Sequence, residues 1–204
     1  MRVTIFRASL LAAVVLTSQP RAAAGQQLPL APDWRETGSA GFGYAGNLPR
    51  ALLGASAHVL LPRMGGIGLY GEFKITHESR RGEGFLPDVT VEQAETEFGD
   101  DFVRELEHWY VANLAVLRPI TRELALYIGT GYARRTLYRE YFDVSGERGS
   151  FGHYRVEDPA DSGSRIDLIG GGFFRAGRRV AFHFGAELAP PGFTVGASLL
   201  FPLR

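Results

Sequence analysis

Val180-Ala-Phe-His-Phe-Gly-Ala-Glu-Leu-Ala-Pro-Pro-Gly-Phe-Thr-Val-Gly-Ala-Ser-Leu-Leu-Phe201 alternates between two kinds of side chain. Val180, Phe182, Phe184, Ala186 and Leu188 fall on one side of an extended chain, and Ala181, His183, Gly185 and Glu187 on the other. After Pro190, Pro191 and Gly192 the rhythm restarts, with Phe193, Val195, Ala197, Leu199 and Phe201 opposing Thr194, Gly196, Ser198 and Leu200. A repeat of two marks a strand, because successive side chains of a strand point to opposite faces. The stretch reads as two strands and a tight turn, one face apolar and the other small or polar.

The same template, moved upstream, brings the total to eight strands. They are expected at about Thr37 to Ala45, Ala51 to Leu61, Ile67 to Thr76, Glu107 to Leu117, Leu124 to Tyr138 and Arg165 to Phe174, followed by the two strands of the opening stretch. The third sets Ile67, Leu69, Gly71, Phe73 and Ile75 against Gly68, Tyr70, Glu72, Lys74 and Thr76. The sixth is blurred by Gly170, Gly171 and Gly172, which read as a strand bend or close backbone packing, since no helix follows to make them a phosphate loop.

Composition agrees with strands. The 204 residues suit one domain, and 26 glycines with 12% aromatics favour strands and tight turns over helices. Mean hydropathy is -0.05, and no window approaches the roughly 18 uninterrupted apolar residues that a membrane helix needs. There is no cysteine, which excludes disulfides and thiolate metal sites. At the N-terminus, Arg2 and Arg7 precede the apolar run Ala8 to Leu16, and Ala22, Ala23 and Ala24 supply small residues for cleavage. Residues 1–24 are therefore expected to be a signal peptide and 25–204 the exported domain. Without the leader's Arg2, Arg7 and Arg21, 19 of the 22 basic residues face 22 acidic ones, a net charge of -3. That is not the basic footprint of a nucleic-acid binder.

The connections are asymmetric. Pro62 to Gly66, Arg118 to Glu123 and Arg175 to Arg179 are short, whereas 78–106 and 139–164 are long and charged. An up-and-down chain with its short turns at one end matches the design of outer-membrane barrels. In such a barrel the large apolar face meets lipid and the small or polar face lines the lumen. The aromatics Trp34, Tyr44, Tyr70, Trp109, Tyr110, Tyr132, Tyr138 and Phe201 lie near strand ends and are expected to form interfacial girdles.

On the leader, the strand count and the loop asymmetry, the chain resembles the small outer-membrane barrels of Gram-negative bacteria, of the OmpA membrane-domain, OmpX and OmpW type. The resemblance implies an all-β, eight-stranded antiparallel up-and-down transmembrane β-barrel in the cell outer membrane. It implies contact with outer-membrane lipid and lipopolysaccharide, and delivery by the barrel-assembly machinery. Members of this type usually end in an aromatic residue; here Phe201 fits the pattern, but Pro202, Leu203 and Arg204 follow it.

By parity the lumen holds Glu72, Lys74, Glu107, Asn113, Asp167, His183 and Glu187, together with Arg135. Charges confined in a narrow barrel have to pair, because an isolated ion away from water costs several kcal/mol. The near balance of charge in this set predicts a plug, and a charged constriction in a porin-like conduit for small solutes is the alternative. Ser56, His58 and His183 with Glu72 or Glu187 invite a lipid-modifying enzyme, but a nucleophile needs an aligned base. The His-x-Ser-Asn run of the lipid A deacylases of this architecture is absent, so no enzymatic activity is expected. No cofactor or metal is called for. Val91, Ala94, Phe98, Phe102 and Leu106 recur at helical spacing behind Asp88, predicting a short amphipathic helix across the barrel mouth. The expected role is structural or interactive, with an extracellular ligand at loops 78–106 or 139–164. Periodicity alone leaves open which face is inward, and a soluble lipocalin-like carrier would invert the two.

Overall fold

The computed structural model describes residues 38–61, 66–76, 84–149 and 151–203. The expected signal peptide, and Trp34 with it, lie outside the described residues.

Eight antiparallel strands close on themselves in sequence order. They are β1 (Ser39–Leu48), β2 (Leu52–Leu61), β3 (Ile67–Thr76), β4 (Asp101–Pro119), β5 (Leu124–Phe142), β6 (His153–Arg175), β7 (Val180–Leu188) and β8 (Pro191–Pro202). Closure runs from Ser39 opposite Pro202 to Leu48 opposite Phe193, so neither terminal strand leaves an open edge along this seam. Lipid offers no partner for backbone N–H and C=O groups, and closure lets neighbouring strands supply them along the barrel wall. The seam also stacks Phe42 on Phe201, with ring centroids 5.5 Å apart.

The expected parity holds along the barrel wall. Glu72 and Lys74 of β3 are buried, while Leu69, Phe73 and Ile75 between and around them are exposed. The pattern repeats in β5, where Tyr127 is buried and Ile128 is 75% exposed. Within the glycine run of β6, packing dictates Gly171, where a Cβ would stand 2.7 Å from the Tyr127 hydroxyl.

Three expectations need correction at the loop end. β4 begins at Asp101 rather than near Glu107, β5 continues to Phe142, and β6 begins at His153 rather than Arg165. Most of the segment 139–164, expected as a loop, is therefore paired strand, with Tyr141 opposite Tyr154 and Arg139 opposite Val156. These strand ends form a three-stranded extension beyond the wall of the barrel. Both of its faces carry charges, so the apolar alternation that reveals a lipid-facing strand is missing there.

The helix expected behind Asp88 shrinks to a single irregular turn, π-helical over Gln93–Glu97. Gly99, at φ +65°, turns the chain away, and Phe102 and Leu106 belong to β4, opposite Tyr141 and Tyr138. Ala94 packs on Tyr141, Tyr154 and Val156, with Leu86, Val89 and Val91 beside it, so this loop covers the lumen-side face of the extension.

Candidate functional site

The lumen is filled in tiers. At the turn end, Arg175 donates from Nε to the Gly177 carbonyl at 3.0 Å. Above it lies an aromatic layer. Tyr70 stands edge-on to Phe173 at 5.0 Å between centroids and tilted to Tyr127 at 4.9 Å, and His58 and His183 lie 4.9 and 5.1 Å from the Phe173 ring. Tyr70 was expected in a girdle. It instead points inward and is fully buried, as its shared face with Glu72 and Lys74 requires.

The next tier is the polar cluster. Lys74 Nζ donates to Glu72 Oε1 at 2.7 Å and pairs with Glu187 Oε2, and all three charged side chains are 0% exposed. Asn113 Nδ2 donates to both Glu72 Oε1 at 3.0 Å and Asp167 Oδ2 at 2.8 Å. Asn47 donates to the second oxygen of Glu187, and the Tyr70 hydroxyl donates to Glu72 Oε2 at 2.6 Å. Asp167 Oδ1 accepts the backbone N–H groups of Leu188 and Ala189 at 3.0 and 2.7 Å, tying the cluster to the β7–β8 turn. Gly131 faces Asn113 across β4 and β5, and a Cβ there would collide with the Asn113 side chain.

Five of the seven expected lumen residues, Glu72, Lys74, Asn113, Asp167 and Glu187, thus share one hydrogen-bonded network, with His183 at its lower border. Charge balance in this tier departs from expectation, because three carboxylates face one ammonium. The remaining acceptors are met by neutral donors: two amides, one phenol and two backbone N–H groups. Such donors satisfy buried carboxylates without adding cations.

Glu107, the remaining expected residue, lies elsewhere. An apolar ring of Leu52, Val111, Ala133 and Ala189, capped by Trp109, separates the polar cluster from the loop-end mouth. There Glu107 pairs with Arg50 through Oε2 and with Arg135 through Oε1 at 2.9 Å, and Trp109 Nε1 donates to Oε2 at 3.1 Å. The guanidiniums of Arg50 and Arg165 lie over the Trp109 ring at 5.5 and 5.7 Å. Trp109 too was expected in a girdle and is buried in the lumen. Tyr138 is likewise buried, against Phe85, whereas Tyr44, Tyr132 and Phe201 point outward.

The extension is cross-tied by charge. Glu140 meets Arg104 Nε at 2.9 Å, His153 Nδ1 at 3.2 Å and Arg155 Nε at 3.7 Å. Burial works to raise its pKa, but the hydrogen bond and charge of Arg104, then Arg155 and His153, outweigh it and hold Glu140 below the usual carboxylate range. Arg148 bridges Asp143 and Asp100 at 3.4 and 3.5 Å, joining the two long connections, while the Tyr154 hydroxyl donates to Asp100 at 2.6 Å. Hydrogen bonds from Ser145 and from backbone N–H groups hold Asp143 down at about 2.

The triad expected of an enzyme is not assembled. Ser56 Oγ has no hydrogen-bond partner among the described residues, and Glu72 is engaged by Lys74, Tyr70 and Asn113. Among the described residues no group of three metal-ligating side chains is present.

The outer wall decides the orientation that periodicity left open. Phe42, Leu69, Phe73, Leu114, Ile128, Leu168, Phe184 and Leu199 are all exposed, while the charged cluster is inside. A soluble carrier needs the reverse, and a continuous apolar surface of this extent marks contact with another apolar phase. The chain has the fold of a small outer-membrane barrel. Comparison with solved structures agrees: Ail, the attachment invasion locus protein of Yersinia pestis, is similar at a TM-score of 0.52, with 15% identity over 81% of this chain and 98% of that one. No protein-family model and no curated protein matches the barrel's sequence. The expected likeness to eight-stranded outer-membrane barrels thus stands at the level of fold.

Proposed function

We propose that this barrel resides in the bacterial outer membrane with a closed lumen, and that its role is structural and interactive, carried by the extension at the loop end. The observation that carries the reading is the Lys74, Glu72 and Glu187 network, buried between an aromatic layer and an apolar ring. An ion crossing the lumen would have to part charges held at hydrogen-bond distance and then pass Val111, Leu52 and Trp109. Outside the wall, β4 to β6 and the covering turn at Gln93–Glu97 form a packed, charge-laced platform suited to meeting a partner. Its partners in the envelope are lipid and lipopolysaccharide at the apolar belt, and the assembly machinery that reads the last strand. Ail, whose name ties it to attachment and invasion, lends this surface role its analogy.

Two experiments test the reading. Outer-membrane fractionation with heat-modifiable migration on electrophoresis is expected, and recovery as a soluble periplasmic protein without a mobility shift would overturn the location. In planar bilayers the purified barrel is expected to show no steady conductance. Ion-selective currents altered by Lys74→Ala or Glu72→Ala would replace the plug with a narrow channel.

A further inference from the structure

The loop-end mouth of the lumen is not neutral. Arg50 and Arg135 share the two oxygens of Glu107, and Arg165 lies over the Trp109 ring without a carboxylate partner among the described residues. Two guanidiniums hold one carboxylate and a third lies over the adjoining indole, a formal excess of two positive charges at the mouth.

Neither neighbouring level supplies the missing anions. Below, Glu72, Glu187 and Asp167 are taken by Lys74 and by amide donors, and the apolar ring separates them from the mouth. Above, Asp158 and Glu95 are held by Arg139 at 2.9 and 3.1 Å. Asp161 offers Arg135 its backbone carbonyl at 3.4 Å, while its carboxylate lies 3.9 Å from Arg139. Arg135 Nε is buried with no acceptor among the described residues. The mouth is nonetheless open to water, since the side chains of Arg50 and Glu107 are each 33% exposed and Arg165 is exposed as well.

We propose that this mouth is a binding site for a tetrahedral dianion, a phosphate or sulfate group on a solute arriving from the loop end, held by Arg50, Arg135 and Arg165. The rigid guanidinium fork presents paired N–H donors that match such oxygens, and a charge of minus two neutralises the excess. Glu107 is the resident anion that sets the arginines in place and competes with the ligand for them. Trp109, beneath two of the guanidiniums, reports occupancy. The site stands whether or not the lumen conducts, because it lies on the loop-end side of the apolar ring.

The test uses the full barrel refolded in detergent micelles, with Trp34→Phe leaving Trp109 as the sole one of the two tryptophans. Each variant is first checked for heat-modifiable migration. Sodium phosphate and sodium sulfate are then titrated at neutral pH and constant ionic strength against chloride, following Trp109 fluorescence and heat. Saturable binding is expected, weakened about tenfold by Arg165→Gln and by Arg135→Gln, since each removes a charge-assisted hydrogen bond. Glu107→Gln is expected to tighten it several-fold, an opposite sign that a merely misfolded variant would not give. As the solution is acidified from mildly alkaline pH, inorganic phosphate becomes a monoanion and is expected to weaken, while sulfate stays a dianion and does not. Tighter binding of inorganic phosphate than of sulfate, or the reverse, shows which of the two groups the mouth favours. No saturable response to either anion, or unchanged affinity in Arg165→Gln, would overturn the proposal.

Discussion

Replacing Lys74 by methionine keeps the length and volume of the side chain and removes its charge. Glu72 would lose the donor at 2.7 Å and Glu187 the one cation that pairs with it among the described residues, while both stay sealed from water. Breaking a buried ion pair by deleting one partner costs about 3–5 kcal/mol, because the other charge is left uncompensated. The neutral donors Asn113, Asn47 and the Tyr70 hydroxyl remain, which places the expected loss nearer about 3 kcal/mol than 5. With a urea slope of about 2 kcal/mol/M, the unfolding midpoint should fall by about 1.5 M. Equilibrium urea unfolding in lipid vesicles, followed by Trp109 fluorescence and by heat-modifiable migration, measures this shift. Adding Glu72→Gln and Glu187→Gln to Lys74→Met should restore most of it, since replacing a whole buried ionic group is often nearly neutral. A Lys74→Met midpoint within about 0.3 M of the parent would refute the claim that these charges hold one another in place.

Leu114→Arg places a charge on the exposed outer wall, at the level of the Asn113 and Asp167 tier. In vesicles it should cost about 2–4 kcal/mol by urea unfolding, whereas a water-facing position would tolerate it. Arg148→Ala releases Asp100 and Asp143 from their bridge and should speed limited proteolysis within 143–152, with the barrel's unfolding midpoint unchanged. Asp143 is held below its ordinary value, so its contribution is complete above about pH 4 and is lost as pH falls through about 2. Hydrogen exchange of the Ser145 and Arg148 amides should stay protected at mild acidity and open only near that lower value.

The period of two, read from Val180 to Phe201 and then upstream, was sufficient for the strands of the wall, their order and the residues sharing a face. That information is local: one face meets an apolar phase, so large side chains recur at every second position. Asp101 to Leu106 and His153 to Ser164 escaped the same reading because they leave the lipid-facing zone, where neither face has to be apolar. The helical spacing from Val91 to Leu106 was an accident of composition that strand pairing with Tyr138 and Tyr141 overrode.

Parity also named Glu72, Lys74, Asp167 and Glu187 of the polar tier and Glu107 and Arg135 of the mouth, but neither Arg165 and Arg175 nor the partners of the charges it found. Asn47 and Arg50 reach the site from the first strand and its turn, and the Leu188 and Ala189 amides from the last hairpin, distances in sequence that no local pattern spans. Which face turned inward was likewise undecidable from alternation, which is unchanged when the two faces are exchanged. Closure of the sheet broke that symmetry. Once β1 met β8, the narrow interior had room for Gly, Ser and paired charges with one aromatic layer. The phenylalanines and leucines were left outside, as on the wall of a membrane barrel.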